Sequence, residues 1–351
     1  MNRRHFLSKV TQGTLALSAT KLFGRRAAAA APRKLKHWIW VTGLEKETPE
    51  EQQRKLEQFR EAGVHAVLFN GHTPELLAQA KQAGLETHAW IITLNRGDPS
   101  LLQNHPDWFV VNRLGDSSAD KPAYISDYHF LCPSQEGVRE YVSGVVADLC
   151  RQANLDGVHL DYIRFPDVIL PVGLWKRYNV VQDREWPQFD YCYCAVCRAA
   201  FKRKTGEDPL KLPDAPANAA WRQFRYDSVT RLVNHLARVA HRHRKQITAA
   251  VFPTPTLAKR MVRQDWVHWK LDAVLPMLYH HYYNEKTEWI EPAVKEGVAA
   301  LPKNRPLYAG LYLPVLQSQE EFDEAVKYAL TGGAAGVSLF GGLKTIKNGW
   351  D

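Results

Sequence analysis

The segment Leu155 to Pro166, Leu-Asp-Gly-Val-His-Leu-Asp-Tyr-Ile-Arg-Phe-Pro, places polar side chains within an apolar run. Alternation of apolar residues with His159 and Asp161 is typical of a largely buried strand, which the proline would end. A carboxylate such as Asp161 is costly to bury unless it is paired or faces a hydrated cavity. Two interpretations follow: a structural Asp161–Arg164 ion pair, or a reactive carboxyl at the open end of an α/β fold.

The rest of the chain alternates predicted apolar strands with predicted helices, and these elements must position the residues of the site. Strands are predicted at 37–42, 65–70, 86–93, 155–166, 247–252, 273–279, 307–313 and 336–340, with a helix at 257–270 among those between them. Eight β/α units in sequence favour a closed (β/α)8 TIM barrel over an open doubly wound sheet. Two long inserted loops, residues 95–132 and 164–220, follow strand ends on the face where such barrels bind substrate.

Three segments carry a family resemblance. They read His-Pro-Asp-Trp at 105–108, Leu-Cys-Pro followed by Val-Arg-Glu-Tyr within 131–141, and the strand segment at 155–166. Together they resemble the glycosyl-hydrolase-like family 10, bacterial (β/α)8 barrels related to glycoside hydrolases, and the resemblance implies that activity. The sequence departs from the family at Cys132, where aspartate is expected. A weaker similarity to chitinase-type barrels fails at Ile163, which stands where their catalytic acid would be.

Glycoside hydrolysis ordinarily needs two carboxyl groups, one to protonate the leaving oxygen and one to act as nucleophile or base. Asp161 is expected to be one of the two, held ionised or oriented by Arg164 and His159, and either a nucleophile or a base role is open to it. Predicted strands five, seven and eight end without an acid, so the second must come from a loop. Asp127 and Glu285 rank first among the loop acids. The loop after strand four adds Asp183, Glu185 and Asp190.

Residues near the other predicted strand ends would line a carbohydrate site, because sugar rings stack on flat aromatic faces. The expected substrate-binding residues are Trp40, Asn70, Trp90, His159, Arg164, Tyr279, His280 and Tyr312. Core packing is the alternative for each aromatic residue, and a buried hydrogen-bonding role is the alternative for His159. Two other functions stay open: a carbohydrate-binding barrel without turnover, and a metal-dependent carbohydrate deacetylase using His280, His281 and Asp161.

Three thiols lie within six residues in the second inserted loop, in the pattern Cys-x-Cys-x-x-Cys. Cys192, Cys194 and Cys197 suit a structural zinc, a disulfide or free thiols, and zinc would need a fourth ligand from Cys132 or a histidine. The position of the cluster, directly before a helix-like segment, favours a structural role. Catalysis is expected to need no cofactor.

Residues 1–31 resemble a twin-arginine export signal. Arg3-Arg4 precedes Phe6-Leu7, then a mildly apolar run and an alanine stretch suited to signal peptidase. The run is too short and polar for a stable membrane span. The resemblance implies the twin-arginine machinery as a partner and a periplasmic or extracellular location. Residues 32–351 would then form a single barrel domain.

Removing this segment also removes most of the positive charge. Six of the 46 basic residues and none of the 37 acidic residues lie in it, so 40 bases face 37 acids in the remainder. This near balance gives no support for a nucleic-acid-binding surface, and the sequence contains no recognisable nucleic-acid-binding motif, so no nucleic-acid partner is expected.

Overall fold

The computed structural model describes residues 35–341. The predicted signal at 1–31 therefore lies outside the described residues. Eight strands follow one another along the chain: β1 Trp38–Thr42, β2 Ala66–Asn70, β3 Glu86–Ile92, β4 Gly157–Asp161, β5 Gln246–Val251, β6 Ala273–Pro276, β7 Ala309–Tyr312 and β8 Val337–Phe340.

The α-helices within this part of the chain are α1 Pro49–Glu61, α2 Pro74–Gln82, α3 Pro99–Asn104, α4 Glu136–Cys150, α5 Trp175–Tyr178, α6 Ala195–Thr205, α7 Ala219–Arg242, α8 Pro255–Val262, α9 Ile290–Ala300 and α10 Gln319–Thr331. Their starts follow local sequence signals. Thr48 accepts a hydrogen bond from the Glu51 amide while the Glu51 side chain accepts from the Thr48 amide, which forms a capping box. The Thr73 side chain accepts a hydrogen bond from the Leu76 amide and caps α2, and both α1 and α2 have proline in their first turn.

All eight strands are parallel and belong to one sheet, in the order β6-β5-β4-β3-β2-β1-β8-β7. Parallel bridges at Val274–Leu307 and Met277–Gly310 join the outer strands β6 and β7. A Cβ atom at Gly310 would lie 2.6 Å from the Pro276 carbonyl oxygen, so the missing side chain permits this approach. The sheet is thus a nearly closed barrel, and the predicted (β/α)8 TIM barrel is confirmed.

Two apolar layers follow from the strand alternation. One lies inside the barrel and includes Trp38, Trp40, Leu68, Trp90 and Leu275. The other lies between strands and helices, where the opposite faces of the same strands pack against the apolar sides of the helices. Residues of β4 divide accordingly: His159 and Asp161 lie on one face, and Val158 and Leu160 lie in the outer layer.

Two predicted elements are shorter than expected. β4 ends at Asp161 because Tyr162 has a left-handed backbone with φ 50°, so the chain turns well before the proline. The helix predicted at 257–270 ends at Val262, where Arg263 adopts φ 57° and caps it. Arg263 is then drawn into ionic contacts with Glu185 and Asp190, which the apolar periodicity could not predict.

The two inserted loops pack on each other. Asn112 and Tyr191 form an antiparallel bridge, and the Tyr193 amide donates to the Val111 carbonyl at 2.7 Å. Between residues 35 and 341, no helix is long and apolar enough to cross a bilayer.

Candidate active site

Asp161 ends β4 at the carboxyl-terminal end of the barrel, with its side chain 8% exposed. Its Oδ2 accepts a hydrogen bond from the Trp90 indole at 3.0 Å, and its Oδ1 accepts one from the Tyr162 amide at 2.7 Å. Burial raises the pKa of Asp161 above its ordinary value of 3.8, and the two donors and Arg164 offset only part of that rise. The carboxyl of Asp161 is therefore harder to ionise than that of a solvent-exposed aspartate.

His159 lies one step deeper in the barrel and is fully buried. The Trp40 indole donates to its Nε2 at 3.0 Å, and its Nδ1 lies 2.8 Å from Thr248 Oγ1. Because Nε2 accepts the indole hydrogen, Nδ1 carries the proton and donates to Thr248. Burial lowers the pKa of His159 well below its ordinary value. The structure thus places His159 and Trp40 beneath the site, where they support it rather than line it.

Arg164 does not pair with Asp161. Its Nη1 lies 2.9 Å from Asp167 Oδ2 and donates to the Phe165 carbonyl at 2.9 Å, while its Nη2 donates to the Tyr128 hydroxyl at 2.7 Å. Tyr128 also donates to Asp167. Arg164, Asp167 and Tyr128 form a buried loop clamp that joins the two inserted loops.

Aromatic rings form one wall of the barrel mouth. Phe340 stands at their centre: Tyr279 and Tyr312 stack on it at centroid distances of 6.0 and 5.7 Å, and the Trp90 ring meets it edge-on at 6.0 Å. His281 stacks on Tyr312 at 5.1 Å. Phe340 was not among the predicted binding residues, although its position at the end of strand eight was a usable signal.

Asn70 and His280 lie at the mouth as the sequence predicted, and both are half-buried. Asn70 ends β2 beside Thr42 of β1. His280 begins the turn after β6, and burial lowers its pKa. Burial also lowers the pKa of the neighbouring His281 to about 4, so both rings are neutral near pH 7.

The structure separates the candidate loop acids by environment. Asp127 is exposed, with a Ser126 hydroxyl donating to it. Glu285 is exposed at a groove of about 590 Å³ between the second inserted loop, α8 and α9, whose lining includes Asp183 but not Asp161. Neither Asp127 nor Glu285 is brought into hydrogen-bonding contact with Asp161.

The two remaining loop acids have structural partners. Asp190 is fully buried against the Arg225 guanidinium, and Glu185 pairs with Arg263. Asp167 is likewise paired with Arg164. These carboxylates are therefore unsuited to the role of second catalytic acid.

The described residues bring together one group of potential metal ligands. It consists of Cys132, Cys192, Cys194 and Cys197, whose sulfur atoms all lie within 4.8 Å of one another. His280, His281 and Asp161 form no such group within residues 35–341. A deacetylase metal triad at the mouth is therefore not supported.

Residues 51–302 match the family model described as "Putative glycosyl hydrolase domain", and the chain belongs to that family. The resemblance to glycosyl-hydrolase-like proteins is thereby confirmed. A search of curated proteins found no match.

Solved structures with the same fold include several glycoside hydrolases. The PgaB (BpsB) glycoside hydrolase domain from Bordetella bronchiseptica is 14% identical with a TM-score of 0.62, covering 88% of this chain and 94% of that one. The catalytic domain of beta-amylase from Paenibacillus polymyxa is 13% identical with a TM-score of 0.60, covering 88% and 93%. Beta-galactosidase from Bacillus circulans is 12% identical with a TM-score of 0.59, covering 88% and 50%. At these identities the likeness shows the fold alone.

Proposed function

We propose that the chain is an exported glycoside hydrolase that cleaves O-glycosidic bonds in a polysaccharide or oligosaccharide, with Asp161 as the general acid. The observation that carries the proposal is a buried carboxyl at the end of β4 whose pKa is raised. A general acid must hold its proton at the working pH, and burial shifts the pKa of Asp161 in that direction. Membership of a glycosyl hydrolase family supports the same class of reaction.

The two hydrogen bonds to Asp161 would assist the proton transfer. When the carboxyl gives its proton to the leaving glycosidic oxygen, a buried carboxylate remains. The Trp90 indole and the Tyr162 amide already point at its two oxygens and would stabilise the charge as it forms. Because they favour the product of proton transfer, these donors lower the barrier without requiring any rearrangement.

The aromatic wall would hold the substrate above Asp161. Tyr279, Tyr312 and Phe340 present ring faces and edges at the mouth, and sugar rings pack on such surfaces through their C–H faces. Neutral His280 and His281 and the amide of Asn70 would offer hydrogen bonds to hydroxyl groups. The substrate would lie across strand ends six, seven, eight and two.

The second carboxyl would come from a loop, and Asp127 and Glu285 remain the candidates. Each lies next to a tyrosine near the loop clamp: Tyr128 follows Asp127, and Tyr283 precedes Glu285 by two residues. The turnover of the variants Asp127→Asn and Glu285→Gln distinguishes the two candidates. Replacement of the true nucleophile or base would abolish turnover, whereas replacement of the other acid would leave it intact.

A carbohydrate-binding barrel without turnover is the second candidate. It is favoured by one observation: Asp167, Glu185 and Asp190, near the second inserted loop, are all committed to arginine side chains. Such a protein would use the same aromatic wall.

Reducing-sugar release from a panel of polysaccharides tests the two functions. The purified protein is compared with Asp161→Asn, which keeps the side-chain shape and an oxygen for the Trp90 hydrogen bond. Asp148→Asn, which removes an exposed acid on α4, serves as the control. Release by wild type and control but not by Asp161→Asn supports hydrolysis. Equal binding of a polysaccharide by all three proteins, with no release from any substrate, supports the non-catalytic function.

Export through the twin-arginine pathway is a separate part of the proposal and rests on the sequence of residues 1–31. Replacing both Arg3 and Arg4 by lysine keeps the charge but removes the paired arginines. We expect wild-type protein in the periplasmic or extracellular fraction and the double variant in the cytoplasmic fraction. Equal distribution of the two proteins would contradict this route.

A further inference from the structure

Four cysteines from two distant parts of the chain meet in one buried cluster. Cys132 ends the first inserted loop, and Cys192, Cys194 and Cys197 belong to the second. Every one of these side chains is buried, with at most 6% exposed. Their four sulfur atoms lie within 4.8 Å of one another. The fifth cysteine of the chain, Cys150, is buried separately at the end of α4.

The sulfur distances match metal coordination rather than disulfide bonding. Cys132 Sγ lies 3.8 Å from Cys194 Sγ and 3.5 Å from Cys197 Sγ. Zinc bound tetrahedrally by four thiolates at about 2.3 Å separates neighbouring sulfurs by about 3.8 Å. A disulfide needs about 2.05 Å, and all five cysteines, which all lie in the described residues, are free thiols.

The surroundings of the cluster suit thiolates. The Val111 amide donates to Cys192 Sγ at 3.4 Å, and Cys194 is the N-cap residue of α6, whose eleven residues direct their dipole toward it. A zinc ion with four thiolate ligands has a net negative charge, which the helix N-terminus and the amide donor partly compensate. The closed four-sulfur ligand set leaves no position for substrate and is typical of structural zinc.

We propose that Cys132, Cys192, Cys194 and Cys197 bind one structural Zn²⁺ ion that fastens the two inserted loops to each other. Binding converts four thiols into thiolates and releases their protons to solvent. Zinc binding also explains why this chain has Cys132 where the family resemblance predicts aspartate, because Cys132 is the fourth ligand. The inference rests on the thiol cluster alone and does not depend on the proposed hydrolase activity.

The metal content of the purified full chain tests the proposal. The protein is isolated without metal-affinity steps, supplied with Zn²⁺, and dialysed extensively before zinc is measured by atomic spectroscopy. We expect one zinc per chain. Replacement of zinc by Co²⁺ should give the intense visible absorption and sulfur-to-metal charge-transfer bands of a tetrahedral thiolate site. Protein without zinc and without these cobalt bands would overturn the proposal.

Variants locate the site. Cys132→Ser and Cys194→Ser should each lose zinc to a competing chelator that wild type resists, whereas Cys150→Ser, which removes an equally buried thiol outside the cluster, should retain one zinc. Retention by all three variants would overturn the assignment.

Alkylation separates zinc from disulfides and does not depend on variants that fold. Under denaturing conditions with chelator and without reductant, a zinc site leaves all five thiols free to react. Mass spectrometry that shows only three or one alkylated cysteines in the purified protein would demonstrate disulfides and contradict the proposal.

Discussion

The Trp90 indole donates a hydrogen bond to Asp161 Oδ2 at 3.0 Å across the neighbouring strands β3 and β4. Trp90 is opposite His159 in the strand register, so its ring extends one step toward the mouth to reach the carboxyl. The pair is buried, and the indole cannot accept a proton. Trp90 can therefore tune the pKa of Asp161 but cannot exchange protons with it.

The activity of the wild-type protein should fall on the alkaline side as Asp161 loses its proton. Because burial raises the pKa of Asp161, this fall should occur at higher pH than for a solvent-exposed aspartate. Initial rates measured from acidic to alkaline pH would show this fall as the alkaline limb of the pH–rate profile. Replacement by asparagine should reduce kcat by about 10²- to 10⁴-fold, the usual contribution of general acid catalysis. A limb at the ordinary aspartate value would argue that Asp161 acts as an ionised group.

Protonation of Asp161 should also make the free energy of unfolding depend on pH. The folded state holds the Asp161 proton more tightly than the unfolded state, so this group favours folding at low pH. Its contribution is lost as pH rises from 3.8 through the raised folded pKa. The free energy of unfolding, measured by denaturant titration, should therefore fall over this range more for wild type than for Asp161→Asn. Parallel pH profiles for the two proteins would contradict the raised pKa.

Trp90→Phe should move the alkaline limb to higher pH. The indole hydrogen bond stabilises the carboxylate, so its loss raises the pKa further. A hydrogen bond to a charged group contributes about 1.5 kcal/mol, which corresponds to about one pKa unit. Trp38→Phe is the matched control, because Trp38 belongs to the same barrel interior and its indole nitrogen has no partner among the described residues. A shift of equal size in both variants would assign the effect to packing.

Arg164→Met should destabilise the protein by about 3–5 kcal/mol, because Asp167 would remain buried without its cation. Arg139→Met, which breaks an exposed pair with Glu136, should cost less than about 1 kcal/mol. Chemical unfolding measures both. Adding Asp167→Leu to Arg164→Met should recover part of the loss, and the absence of any recovery would show that the loop clamp is not the source.

Gly157→Ala should also destabilise the barrel. A Cβ at Gly157 would lie 2.5 Å from His88 Nδ1 and 2.7 Å from the Gln246 carbonyl oxygen. The His88 ring and the neighbouring strand β5 must therefore shift, at a cost of about 1–3 kcal/mol. Gly144→Ala on α4 is expected to have the opposite sign, because no atom lies within 4 Å and alanine favours a helix by about 0.5–1 kcal/mol. Thermal unfolding of the two variants should therefore move in opposite directions.

The number of β/α units was predictable from the sequence, because helix-capping residues and the apolar alternation of strands are signals that span only a few residues. Thr48 and Thr73 mark helix starts within three residues of the atoms that they bind. The Arg164–Asp167 pair was not predicted, although Asp167 lies only three residues further along the chain. The left-handed turn at Tyr162 separates the arginine from Asp161, and its contact with Tyr128 spans 36 residues. The end of strand eight marked Phe340 as a candidate, but its contact with Trp90 of β3 arises only when β8 pairs with β1 and the barrel closes.

The contact between the inserted loops has a consequence for changing substrate preference. The loop clamp, the Asn112–Tyr191 bridge and the four-cysteine cluster all take members from both loops. A graft of either loop alone into another barrel would leave half of each contact behind. Recombination among related barrels should therefore exchange the loops after strands three and four as a pair, so that both halves of each contact are transferred together.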